Sequence, residues 1–156
     1  MFDVEIKSFP SLHLAAMAHK GSYMNIGQAF EKLMVRAGPQ GWLANGVRMI
    51  GIFYDDPAEV NEAELRAKAC IILPDDLKIE DDGMVQPLDL PAGRTVCLRF
   101  KGPYAEMEGA YRWLFGTWLP QSGEEAADRP CIEEYLNNPR DVAPPDLLTD
   151  IHLPLK

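Results

Sequence analysis

Lys20-Gly21-Ser22-Tyr23 and Lys101-Gly102-Pro103-Tyr104 stand 81 positions apart, and the chain around them agrees at nearly the same spacing. Each quartet reads as a turn that leaves a strand and enters a helix. Upstream, residues 4–9 followed by Pro10 match residues 85–90 followed by Pro91. Downstream, Ala29-Phe30 and Leu33 match Ala110-Tyr111 and Leu114. Tyr54-Asp55-Asp56-Pro57 then matches Leu136-Asn137-Asn138-Pro139 at a spacing of 82, and Leu65 and Ala69 match Leu147 and Ile151 in the same way. Such agreement at turn and core positions identifies a duplication. The expected organisation is a single domain, 1–156, containing repeats 1–73 and 84–156 joined by an acidic linker, 74–83.

The periodicities give each repeat the order strand, strand, helix, strand, strand. In the first, 4–9 alternates, Pro10-Ser11 interrupts it, and 12–19 reads as a second strand. Ile26, Phe30, Leu33 and Met34 form one apolar helical stripe, and Gly38-Pro39-Gln40-Gly41 stops it. Apolar 47–54 and then 66–73 complete the set. The second helix is expected over about 105–119. Each repeat is too small to bury a sheet face well alone. The expected fold is therefore α+β: one sheet of about eight strands with two main helices on one face. A groove between the two halves is a natural ligand site.

Composition narrows the function. The chain has 156 residues, 47% of them hydrophobic, enough for a real core. No apolar run approaches the ~20 residues of a membrane span. The start, Met1-Phe2-Asp3-Val4-Glu5, lacks the basic and apolar regions of a signal peptide, so a cytoplasmic location is expected. Cys70, Cys97 and Cys131 are odd in number and scattered, which argues against a disulfide framework or a zinc motif; each reads as a small core residue. His13, His19 and His152 are equally scattered, so no metal is expected. No nucleophile motif, metal set or Gly-rich phosphate loop strengthens an enzymatic reading, and no cofactor is expected. The net charge is −9. With no basic patch and no helix-turn-helix-like segment, direct nucleic-acid binding is not expected. An acidic surface suits cationic ligands or basic protein surfaces. Asp75, Asp76, Glu80, Asp81 and Asp82 in the linker read as a solvated loop.

The repeats are most informative where they differ. Pro130-Cys131-Ile132-Glu133-Glu134-Tyr135 reads as a strand, so its two glutamates point to opposite faces. Aligning Pro57 with Pro139 sets Glu133 against Gly51, Glu134 against Ile52 and Tyr135 against Phe53. Glu133 is thus a carboxylate where its mate has no side chain, and Glu134 reads as its solvent-facing neighbour. The second helix carries Met107, Tyr111, Leu114, Phe115 and Trp118, with Trp113 on another flank. Aromatic rings beside a carboxylate suit a flat, greasy cation, each ring face adding roughly 0.5–2 kcal/mol.

The chain resembles the GyrI-like small-molecule-binding family, also seen as the effector-binding domain of AraC-type and MerR-type transcription activators. The resemblance runs from about Val4 to Leu155. It rests on Lys20-Gly21-Ser22-Tyr23, Gly51-Ile52-Phe53-Tyr54-Asp55-Asp56-Pro57, Glu64-Leu65-Arg66-Ala67-Lys68-Ala69-Cys70 and Leu90-Pro91-Ala92-Gly93. It continues through Gly102-Pro103-Tyr104, Trp118-Leu119-Pro120-Gln121-Ser122-Gly123, Ile132-Glu133-Glu134-Tyr135-Leu136-Asn137-Asn138-Pro139 and Ile151-His152-Leu153-Pro154-Leu155. The resemblance implies a curved antiparallel sheet under two helices and a central groove for amphipathic, often cationic, aromatic compounds. It also implies a ligand-contacting acid in an apolar-Glu-x-Tyr pattern, which falls on Glu133. The leading expectation is a binding protein for a small amphipathic or cationic aromatic ligand. Glu133 is its counter-charge, and Tyr135, Trp118, Tyr104, Tyr111, Phe53 and Gly51 line the site. One alternative is an inhibitor whose partner is DNA gyrase, since stand-alone members are described that way. Another is a hydrolase of cyclopropane-bearing DNA alkylators, with Glu133 as general base.

Overall fold

Alternating apolar residues become strands, and the two 3.6-period stripes become helices. The computed structural model describes residues 2–43 and 47–156. Its strands are β1 (Val4–Phe9), β2 (Leu12–Lys20), β3 (Met49–Phe53), β4 (Arg66–Leu73), β5 (Val85–Leu90), β6 (Gly93–Lys101), β7 (Cys131–Tyr135) and β8 (Leu148–Pro154). The first main helix is α1 (Gly27–Gln40). The second runs through α2 (Met107–Trp113), a π-helical turn (Leu114–Trp118) and α3 (Leu119–Ser122). Eight antiparallel strands and two main helices make the α+β fold that the periodicities predict. Among the described residues, no helix is long and apolar enough to cross a membrane.

Two compact units emerge, Pro10–Ala92 and Met1–Phe9 with Gly93–Lys156. Their boundaries cut across the repeat. β1, from the first repeat, pairs with β6 of the second, while β5 pairs with β2 of the first. Pro10 and Pro91 stand at the crossing points, where a missing N–H and a fixed φ end one strand before the next begins.

In the unit Pro10–Ala92 the strand order is β3-β4-β2-β5. Ala29, Leu33 and Ala37 of α1 are buried against Ala15 and Met17 of β2 and Ala69, Ile71 and Leu73 of β4. Ile26, Phe30 and Met34 pack around them. Gly41, at φ 76°, ends the helix by donating to the Ala37 and Gly38 carbonyls. The left-handed φ favours glycine there. The linker is more anchored than its acids suggest, because Leu77 and Ile79 pack on this core. Asp82 also accepts bonds from the Met84 and Val85 amides and from Arg36.

The other unit has the order β1-β6-β8-β7. Its core repeats the first one position for position. Ala110 and Leu114 lie against Val96 and Leu98 of β6 and Ile151 and Leu153 of β8. Turns repeat as well. Gly21 (φ 113°) donates to the Leu65 carbonyl at 2.8 Å, and Gly102 (φ 144°) to the Leu147 carbonyl at 2.9 Å. Both φ values exclude ordinary side chains, which explains the Lys-Gly pairs. The spacing changes inside the second helix: Leu114 follows Leu33 by 81, but the left-handed Gly123 follows Gly41 by 82. The π turn between them holds the additional residue.

One pH effect arises from the linker. His13 meets Asp89 Oδ1 through Nδ1 at 2.7 Å and the Leu77 carbonyl through Nε2 at 2.6 Å. Two acceptors require both ring nitrogens to donate, which only the imidazolium does. The bond to Asp89 is the largest cause raising the His13 pKa above 6.5. Its stabilising contribution is therefore full below 6.5 and lost as pH rises through the higher folded value. Urea midpoints near pH 5.5 and 8.5 are expected to differ less in Asp89→Asn than in wild type. An unchanged difference would remove His13 as the source.

Candidate functional site

The site lies within the unit Met1–Phe9 with Gly93–Lys156. β7 pairs with β8 so that Glu133 stands opposite Ile151 and Tyr135 opposite Thr149. This register puts Cys131, Glu133 and Tyr135 on the face toward α2, because Ile151 belongs to the helix-side core. Glu133 is 8% exposed. Tyr111, from α2, donates its hydroxyl to Glu133 Oε2 at 2.5 Å. Tyr135 donates to Oε1 at 2.9 Å. Tyr104 stands edge-on to Tyr135, with ring centroids 5.5 Å apart. One carboxylate is thus held by two phenols, and a third ring stands edge-on to one of them.

Electrostatics follow from this geometry. Burial raises the pKa of Glu133, and the two tyrosine hydrogen bonds partly oppose that rise by favouring the ionised form. Tyr111 is held well above the usual phenol value, first by burial and then by the nearby Glu133 charge. Tyr104 is raised for the same two reasons. Among the described residues, no cationic side chain forms an ion pair with Glu133. Both hydrogen bonds described for the Glu133 carboxylate come from neutral hydroxyls.

The repeat clarifies the arrangement. Gly51 pairs with Ala69 as Glu133 pairs with Ile151, so the alignment at a spacing of 82 is also the structural one. Phe30, Gly51 and Phe53 occupy the places of Tyr111, Glu133 and Tyr135. The two phenol hydroxyls and the carboxylate are therefore present together in one copy and absent together from the other.

The remaining expected residues fall in different places. Trp118 is half-buried and packs on the helix-side core, against a cluster that contains Leu98 and Leu114. Gly51 is buried in β3, and Phe53 packs edge-on against Tyr23 at 4.9 Å; both belong to the other compact unit. Glu134 is half-buried on the opposite face of β7 from Glu133, paired with Asp150, and its charge acts on Arg99. Sequence reasoning missed Thr149. It is fully buried on the site's face of β8, opposite Tyr135, and its hydroxyl has no hydrogen-bond partner among the described residues. A polar residue in an apolar strand was the available signal. A surface depression of about 530 Å³, lined by Met17, Glu31, Lys32, Val35, Arg36 and Met84, lies apart from Glu133 in the other unit.

Tyr111→Phe tests the hold on the carboxylate. Removing the shorter donor raises the Glu133 pKa further, because a hydrogen bond to a charged group contributes about 1.5–3 kcal/mol. The acid midpoint of any cation binding at Glu133 is expected to move up. A titration with an unmoved midpoint would show that the bond contributes nothing.

The α+β module with its duplicated strand-helix units is that of a small-molecule-binding domain, as the family match shows. The chain is a member of the GyrI-like family, whose model, described as a GyrI-like small molecule binding domain, matches residues 2–156. It is similar to a protein named DNA gyrase inhibitor from Edwardsiella piscicida, 30% identical over 162 residues that cover 98% of this chain and 97% of the relative. Among solved structures, the EcmrR C-terminal domain matches with a TM-score of 0.77 at 19% identity, covering 100% of this chain and 98% of that one. In the EcmrR–DNA complex the matched part is 57% of the EcmrR chain. SAV2435 bound to tetraphenylphosphonium matches with a TM-score of 0.60 at 14% identity, covering 99% of this chain and 94% of that one.

Proposed function

We propose that this protein binds amphipathic aromatic cations and that Glu133 supplies the counter-charge. The observation carrying this reading is the carboxylate, 8% exposed, bonded by two tyrosine hydroxyls and ion-paired with no cation among the described residues. A cation reaching it supplies the charge that burial otherwise withholds. The rings of Tyr104, Tyr111 and Tyr135 add attraction through their faces. A structural neighbour carrying tetraphenylphosphonium supports the same ligand class. Calorimetric titration with tetraphenylphosphonium and with neutral tetraphenylmethane solubilised in cyclodextrin tests the proposal. Saturable binding of the cation, much tighter than of the neutral compound, is expected; equal or absent binding of the cation rejects it.

A second reading, inhibition of DNA gyrase, draws support from the name of the Edwardsiella relative. A supercoiling assay with purified gyrase tests it directly. Unchanged supercoiling at high micromolar protein rejects it.

A further inference from the structure

The face of the same unit opposite Glu133 holds a second cluster. Cys97 on β6 and His152 on β8 are register partners, and Asp150 lies two residues before His152 on the same side of β8. One donor atom from each of the three lies within 4.8 Å of the other two. The residues are 7%, 4% and 5% exposed, respectively. We propose that Cys97, Asp150 and His152 form a binding site for a divalent transition metal of the zinc class.

The donor chemistry fits. A thiolate, an imidazole and a carboxylate bind zinc at about 2.0–2.3 Å, which sets tetrahedral ligand atoms roughly 3.3–3.8 Å apart. Binding a metal would draw the three donors, which lie within 4.8 Å of one another, closer together. Charge is reduced as well: the thiol proton leaves to solvent as the metal–sulfur bond forms, so the thiolate lowers the charge of the divalent ion while Asp150 is shared with Arg99. Outer partners are already present. Arg99 donates Nε and Nη2 to the two Asp150 oxygens at 2.8 and 2.9 Å. That fork orients the carboxylate while each oxygen retains a lone pair. The Phe9 ring stands edge-on to His152, centroids 4.9 Å apart, and limits the imidazole's rotation. Thr95 lies beside Cys97 on the same face of β6; it is 2% exposed, and its hydroxyl has no hydrogen-bond partner among the described residues. A metal-bound water in the fourth position would give that hydroxyl a partner.

Untagged, metal-free protein titrated with Co(II) is the test. One equivalent is expected to bind, giving a thiolate-to-cobalt charge-transfer band that Zn(II) abolishes. The band is expected to vanish in Cys97→Ser and His152→Gln and to persist in Cys131→Ser and Glu133→Gln. Persistence of Glu133→Gln separates this site from the cation site. X-ray absorption on zinc-loaded wild type gives a reading independent of variant folding: one sulfur neighbour supports the site, and an all-oxygen shell overturns it. Absence of the band in wild type, or its survival in Cys97→Ser, also overturns it.

Discussion

Glu133→Gln is expected to lower the affinity for tetraphenylphosphonium at neutral pH by tenfold or more. Two unit charges about 4 Å apart attract by roughly 4 kcal/mol at an effective dielectric of 20. Desolvation cancels part of this, and a tenfold loss needs only about 1.4 kcal/mol. The pH profile carries the same information. Burial raises the Glu133 pKa above 4.5, so the ionised fraction falls as pH drops through that raised value. Wild-type affinity for the cation therefore weakens toward acid, while the glutamine variant shows a flat profile. Stability moves the other way. The folded protein holds the Glu133 proton more readily than the unfolded chain, so stability contributed by this group is lost as pH rises from 4.5 through the folded value. Glu133→Gln removes that loss, and the ligand-free variant melts at a higher temperature than wild type at neutral pH. Equal affinities and parallel pH profiles would remove Glu133 from ligand binding.

Ile151→Ala is expected to destabilise the fold by about 2–5 kcal/mol, the usual cost of emptying a closed core position. Ile151 is fully buried, opposite Glu133 in β8, and belongs to the cluster that seats α2 through Ala110 and Leu114. A loss of that size is a large share of the roughly 5–15 kcal/mol that holds a domain folded. Ile151→Val removes a single methylene and is expected to cost about 0.5–1.5 kcal/mol. Urea unfolding checks both. A change below about 1 kcal/mol for the alanine variant would mean that the core collapses around the gap.

Much of the fold was legible because its signals are local. The alternation of 4–9, 66–73 and 85–90 delimits β1, β4 and β5 at the residues where they run. The Lys-Gly turns mark places where the backbone demands a left-handed residue. The exchange of first strands was not legible, because a duplicated sequence leaves the same strands equally able to pair within a repeat or across it. Only the assembled register distinguishes the two. At the site, Glu133 was legible as a departure from its own copy, and Tyr111 and Tyr135 were legible as aromatics. Their roles as donors were visible only in the pairing of Phe30 with Tyr111 and Phe53 with Tyr135, where the difference is one hydroxyl each. Thr149 and the Cys97–Asp150–His152 cluster escaped because strand register, and not sequence spacing, brings them to their faces.

The π turn at Leu114–Trp118 marks the place where the two copies fall out of step. Before it the copies keep one count, and after it they keep a count greater by one. A π turn takes one residue more than an α turn, so the widened turn and the change of count coincide. It begins three residues beyond Tyr111, and Trp118 within it and Leu119 just after it both pack on the core. The one-residue difference between the copies thus falls in the same helix that supplies Tyr111 to the carboxylate.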